Sequence, residues 1–95
     1  MKIVKEFIAR KIAGEHVLVP TGSTTEEFNG MMTLTETAAL IWENLEKVDS
    51  LDEMIDLVMQ EYEVDQETAE RDVTALVNEL VRIGFIQYTK EDGTW

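Results

Sequence analysis

The stretch NGMMTLTETAALIW, residues 29–42, determines how the rest of the chain can fold. It begins with the turn pair Asn29-Gly30 and continues with a short apolar run, Met31 to Leu34, which we predict to be a strand. From Ala38 onward, apolar residues recur at helical spacing. A strand is therefore expected to lead into a helix almost without a loop.

Two further strands are predicted before this stretch. In KEFIARKIAGEHVLVP, residues 5–20, apolar and charged residues alternate before a turn near Ala13-Gly14-Glu15. The pattern predicts a β-hairpin whose second strand ends at Pro20. The polar segment TGSTTEEFNG, residues 21–30, is a predicted loop.

Three helices are predicted after the third strand, and they cover residues 36–47, 51–62 and 66–83. Each follows a side chain that can accept a hydrogen bond from the free amides of a first helical turn. These candidate caps are Thr33 or Thr35, then Ser50 (with Glu53 at capping-box spacing), then Asp65. Gly84 follows the third helix, where a C-cap needs a left-handed residue. Trp42 lies on the apolar stripe of the first helix and is expected in the core.

A short C-terminal strand, FIQY, is predicted at residues 85–88, and residues 88–95 are expected to form a flexible tail. The order is β-β-β-α-α-α-β, with few residues between the second and third helices. We therefore predict one α+β domain spanning residues 1–95. It is winged helix-turn-helix-like, with a three-stranded antiparallel sheet packed on three helices.

Composition disfavours a catalytic or metal site. The chain has no cysteine and one histidine, His16, so neither a Cys-based zinc site nor a second histidine for a triad is available. The carboxylate pairs cluster in loops and at helix starts, where the helix dipole favours negative charge. We expect no catalytic residue, metal or cofactor, and no enzymatic activity.

Charge disfavours nucleic acid and membrane partners. The net charge is −12, from 20 acidic and 8 basic residues, and such a surface repels phosphate backbones and anionic lipids. The predicted third helix carries two arginines among several carboxylates, which is the wrong sign for a DNA reader. No apolar run is long enough to span a bilayer, and the N-terminal residues do not resemble a signal peptide, so a cytoplasmic location is expected.

The strongest remaining binding feature is the strand Met31 to Leu34. If Met32 and Leu34 face the core, then Met31 and Thr33 face away from it, because strand side chains alternate. A short strand at a sheet edge also presents backbone N–H and C=O groups to which an extended peptide can add. The same edge can instead be covered by a second copy, as in a strand-exchanged dimer.

Together these segments resemble the PqqD family, named after coenzyme PQQ synthesis protein D, from about Ile8 to Tyr88. The resemblance rests on VLVP (17–20), on NGMMTLTETAALIW, on SLDEMIDLVMQEYEVDQETAERDV (50–73) and on LVNELVRIGFI (76–86). Thr35 stands where the family often has an asparagine cap.

The resemblance implies a winged-helix-like precursor-peptide recognition element. Such a protein binds the leader of a ribosomally made peptide between the third strand and the third helix. It then presents the leader to a modifying enzyme, often a radical SAM enzyme. Carried onto this sequence, the peptide-binding residues are Met31, Met32, Thr33, Leu34, Asp72, Ala75, Leu76, Glu79 and Arg82. The alternative is a winged-helix transcription regulator or another protein-interaction module, and a monomer and a strand-exchanged dimer both remain open.

Overall fold

The computed structural model of the chain describes residues 1–28, 30–91 and 95. Asn29, the first residue of the expected Asn29-Gly30 turn, lies outside them. The strands in the described residues are β1 (Lys2–Ile3), β2 (Phe7–Ile12), β3 (Glu15–Pro20), β4 (Met32–Leu34) and β5 (Ile86–Gln87). The helices are α1 (Glu36–Asn44), α2 (Leu51–Glu61) and α3 (Gln66–Arg82), and a short 3₁₀ helix, Gly22–Glu26, lies between β3 and β4.

The three-stranded antiparallel sheet is confirmed, in the order β2-β3-β4. The hairpin turns at Ala13 and Gly14, whose φ angles are 51° and 83°. Two successive residues with positive φ match the twist of the flanking strands, as in a type I′ turn. In the register of β3 and β4, Leu18 lies opposite Met32. This register turns Met32 toward the core and leaves β4 at one edge of the sheet.

A second, two-stranded sheet joins the two ends of the described chain. Ile3 of β1 pairs with Ile86 of β5, and the amide of Val4 donates to the carbonyl of Phe85 at 2.9 Å. The sequence predicts β5 but not β1. β1 lies in MKIVKE, where charged residues interrupt the apolar ones, whereas β5 lies in the mostly apolar run FIQY.

The three predicted helices are confirmed together with their N-caps. Thr35, Ser50 and Asp65 each accept a hydrogen bond from the amide three residues further on, at 3.0, 3.1 and 2.8 Å. Thr35, and not Thr33, therefore caps α1. The hydrogen bonds from Thr68 hold the pKa of Asp65 below its ordinary value.

The helix ends differ in how well the sequence predicts them. α3 ends as expected just before Gly84, which has a φ of 83°. The Gly84 amide donates to Val81 O at 3.1 Å, and the Phe85 amide donates to Leu80 O at 2.9 Å. These two bonds form a Schellman motif. α1 ends at Asn44 rather than at residue 47: the Leu45 amide donates three residues back, to Trp42 O at 3.4 Å, and a turn follows.

Residue 95 also departs from expectation, because the Trp95 side chain lies in the core. Trp95 is only 2% exposed. Its indole Nε1 donates to Val48 O at 3.0 Å, and its carbonyl accepts from the Thr89 amide at 3.0 Å. The expectation of a free tail does not hold for this side chain; residues 92–94 lie outside the described residues. Trp42, by contrast, is buried in the core as predicted.

Candidate functional site: the groove beside strand β4

An open groove of about 630 Å³ runs between β4, the first turns of α1, and α3. We call it the β4 groove. Its lining residues are Met32, Thr33, Leu34, Thr35, Thr37, Ala38, Ile41, Asp72, Ala75, Leu76 and Glu79. Aliphatic and methionine side chains therefore alternate with hydroxyl and carboxylate groups along its walls.

Most of the residues predicted to bind a peptide lie along this groove. Seven of the nine line it: Met32, Thr33, Leu34, Asp72, Ala75, Leu76 and Glu79. Met31 lies instead beside two smaller cavities near the start of β4, of about 270 and 320 Å³. Arg82 does not line the groove but contacts Glu79, which does.

Sequence reasoning missed the wall that α1 contributes. Thr37, Ala38 and Ile41 line the groove beside Thr35. Ala38 and Ile41 lie on the predicted apolar stripe of the first helix, and Thr35 is a candidate cap. Ile41 is buried in the core and also borders the groove, whereas Ala38 is half-buried on the groove wall. In the sequence, this wall was indicated only by the small side chain of Ala38, which lies one helical turn before Ile41.

The backbone of β4 is accessible along one side. Among the described residues, β4 pairs only with β3, and β2 forms the opposite edge of the sheet. β2 carries Arg10 and Lys11, both exposed. Charged side chains on an edge strand discourage the addition of another strand. β4 has no such charge, and its free side borders the groove.

The side chains of β4 alternate as the sequence predicts. Met32 and Leu34 are half-buried and pack against the core, whereas Met31 is 62% exposed and Thr33 is also exposed. An extended segment lying beside β4 would follow the same alternation. Every second side chain of that segment would then point into the groove.

The end of α3 establishes its direction relative to β4. Phe85, just after α3, shares a small cavity with Met32, the first residue of β4. The C-terminal end of α3 therefore lies at the Met32 end of β4, and the earlier groove residues of α3 lie toward Leu34. In this arrangement α3 runs antiparallel to β4.

An aromatic cluster closes the Met32 end of the site. Phe85 packs on Phe7 with ring centroids 4.5 Å apart, and edge-on against Phe28 at 4.9 Å. Phe7 also meets Trp42 edge-on at 5.8 Å. These offset and edge-to-face contacts favour a fixed arrangement of the rings. The end of β4 that borders this cluster is thus held by packing from three parts of the chain.

The two carboxylates on the α3 wall have different partners. Arg82 Nε donates to Glu79 at 2.9 Å, and this contact holds the pKa of Glu79 below its ordinary value. Among the described residues, the only basic partner of Asp72 is Arg71, whose Nε is 3.8 Å from Asp72 Oδ1, beyond hydrogen-bond distance. Within the described residues no three potential metal ligands cluster, and no helix there has the length and apolar character to cross a membrane.

A separate cavity of about 420 Å³ lies between the start of α2, α3 and Trp95. None of the residues predicted to bind a peptide lines it. No residue of β2, β3 or β4 lines it, so it does not expose the backbone of the three-stranded sheet to a ligand.

Comparison with known proteins places these features in context. The family model described as coenzyme PQQ synthesis protein D matches residues 15–86. A solved structure of TbiB1 in complex with the TbiA(beta) leader peptide is similar, with a TM-score of 0.69 and 27% sequence identity. The match covers 95% of this chain and 100% of that chain. A comparison with curated proteins finds no significant match.

Proposed function

Because the chain belongs to the family of coenzyme PQQ synthesis protein D, we propose that it binds the leader of a ribosomally synthesised precursor peptide. Its role in this proposal is to present the leader to a modifying enzyme, without catalysing a reaction itself. The observation that carries the proposal is the uncovered edge of β4 beside the β4 groove. The similarity to TbiB1, whose structure contains a leader peptide, supports it.

We propose that the leader binds as an additional strand next to β4. Backbone hydrogen bonds to β4 would supply affinity without regard to sequence, and side chains entering the groove would supply specificity. An antiparallel arrangement would continue the pattern of β2, β3 and β4. Because α3 is antiparallel to β4, such a leader would run in the same direction as α3.

The predicted residues have distinct roles in this proposal. Residues 31–34 provide the backbone edge, and Met32 and Leu34 provide the apolar floor. Met suits this position because its flexible thioether adapts to different side chains. Ala75 and Leu76 form the facing wall, and its small alanine leaves space for a peptide side chain. Asp72, Glu79 and Arg82 form the charged rim.

The proposed enzyme partner is a radical SAM enzyme, as the family resemblance implies, and the proposed location is the cytoplasm. A monomer would leave β4 open for the leader. A strand-exchanged dimer would cover the same edge and compete with the leader, so sedimentation with and without peptide distinguishes the two states. A leader that dissociates a dimer would show that both use β4.

A titration of isotope-labelled protein tests the proposal. The probe is the leader of a short peptide that is encoded next to the gene for this protein. It is added in excess over the protein. The amide resonances of residues 31–34 and of the groove side of α3 should shift, while those of β2 should not. Unchanged resonances at residues 31–34 under saturating peptide would contradict binding at β4.

A matched pair of variants tests the groove itself. Ala75 and Glu70 are both exposed on α3, but only Ala75 lines the groove. Ala75→Phe should obstruct the groove and weaken leader binding at least tenfold, whereas Glu70→Phe should bind as the original chain does. Thermal unfolding of both variants checks that the fold is intact. Equal binding of the leader by the two variants would exclude the β4 groove as its binding site.

Backbone methylation of the leader tests strand addition separately. Along a strand, alternate N–H groups point to the neighbour and away from it. N-methylation of successive leader residues should therefore weaken binding at every second position. A uniform loss, or no loss, would argue for a different bound conformation.

A further inference from the structure

The two carboxylates on the α3 wall differ in charge balance, and this difference bears on what the groove accepts. Glu79 is already paired with Arg82. Asp72 lies seven positions earlier on the same helix, so its side chain is about 10.5 Å away along the axis, at 1.5 Å per residue. With Arg71 at 3.8 Å and both side chains largely exposed, the charge of Asp72 is poorly compensated.

The groove wall and the charge of the whole chain add to the negative potential at Asp72. The residues that line the β4 groove include two carboxylates, Asp72 and Glu79, and no basic side chain. The net charge of the chain is −12. A cation entering the groove is attracted both locally and over a longer range.

We propose that the groove selects peptides carrying a lysine or arginine that pairs with Asp72, located N-terminal to a pair of apolar residues that enter the groove at alternate positions. The inference rests on the proposed function. The apolar residues face Met32, Leu34 and Leu76, which form the floor and wall. The cation precedes them because Asp72 lies toward the Leu34 end, where a peptide antiparallel to β4 begins.

The opposite end of the groove does not select a cation. There Arg82 supplies the counter-charge to Glu79, and the aromatic cluster of Phe7, Phe28 and Phe85 follows. An uncharged or apolar residue suits that end. The predicted ligand is therefore asymmetric, with a basic start and an apolar continuation.

The probe for this proposal is a phage-displayed library of random dodecapeptides, selected on the immobilised protein at low salt. Peptides counted as groove binders are those whose binding is lost in Ala75→Phe. We expect lysine or arginine at a fixed spacing before two apolar residues. In Asp72→Lys the selected residue should change to aspartate or glutamate, and Glu70→Lys, with the same change in net charge, should keep the original preference.

The size of the effect follows from the exposure of the pair. Exposed ion pairs contribute up to about 1 kcal/mol, so replacing the basic residue of a selected peptide by glutamine should weaken binding roughly two- to fivefold. The difference should shrink at high salt. Asp72→Asn should remove the difference between the lysine and glutamine peptides.

The outcomes separate this inference from the proposed function. Groove binders without a basic preference, or with one that Asp72→Lys leaves unchanged, would overturn the role of Asp72 and leave peptide binding intact. A library that yields no peptide sensitive to Ala75→Phe would overturn both.

Discussion

Replacing Trp95 tests whether the end of the chain is part of the fold. The indole is 2% exposed and its Nε1 donates to Val48 O at 3.0 Å. A buried tryptophan removes about 200 Å² from water, which at ~25 cal/mol/Å² corresponds to an upper limit of ~5 kcal/mol. Buried Trp→Ala substitutions cost ~3–5 kcal/mol. For Trp95→Ala we expect a loss of about 3 kcal/mol in the free energy of unfolding.

The assay is urea and thermal unfolding followed by far-UV circular dichroism. For a domain of this size, about 3 kcal/mol corresponds to a fall in Tm of roughly 12–24 °C. Trp95→Phe is the control, because it keeps a buried six-membered aromatic ring but loses the N–H donor and the smaller ring of the indole; it should cost about 1–2 kcal/mol, less than Trp95→Ala. If Trp95→Ala unfolds within ~0.5 kcal/mol of the original chain, the packing described for this residue is wrong.

Three further substitutions test the fold. Thr35→Ala removes the N-cap of α1 and should lower the free energy of unfolding by about 1 kcal/mol, measured by urea titration; an unchanged midpoint would mean that the cap contributes nothing. Gly84→Ala should cost ~1–2 kcal/mol because of its φ of 83°, although no atom lies within 4 Å of the new Cβ; a stabilised variant would contradict this conformation. The pKa of Asp65 is lowered in the folded chain, so Asp65 contributes fully to the free energy of unfolding above its ordinary pKa of 3.8. This contribution is lost as the pH falls through the lowered pKa. Relative to Asp65→Asn, the original chain should lose stability across that window, and parallel pH profiles would refute the assignment.

Much of the fold follows from local rules that the sequence displays. Alternation in β2 and β3, cap residues before each helix and a glycine after α3 each specify one element, and all agree with the structure. The end of α1 does not follow from periodicity, because Leu45 continues the apolar stripe while its amide donates three residues back, to Trp42 O. The backbone hydrogen bonding changes there although the apolar pattern continues.

The elements that the sequence does not predict are those that depend on distant partners. β1 and Trp95 each acquire their structure from residues far away in the chain, Ile86 for Ile3 and Val48 for Trp95. Neither has a periodic neighbourhood of its own. The same reason explains why the α1 wall of the groove was not predicted, since Ala38 lines an opening that forms only where α3 packs near α1.

Most residues of the candidate site could be predicted from the sequence, but the degree to which each carboxylate is paired with a basic side chain could not. Family resemblance indicated β4 and the face of α3, and seven of nine residues meet at one groove. In the sequence each carboxylate has an arginine nearby, Arg71 before Asp72 and Arg82 after Glu79. The sequence therefore could not show which of the two carboxylates is paired. The structure does so, since Arg82 reaches Glu79 and Arg71 remains 3.8 Å from Asp72.

The pairing of β1 with β5 has a consequence for how this domain can be attached to other proteins. β1 and β5 lie side by side in a sheet separate from the one that contains β4, and Trp95, beyond β5, packs on the same core. A domain with this layout can be inserted into a loop of a larger protein or tethered at either end by a short linker. A tethered enzyme would meet the bound peptide at a high effective concentration, so weak contacts between the two proteins would suffice.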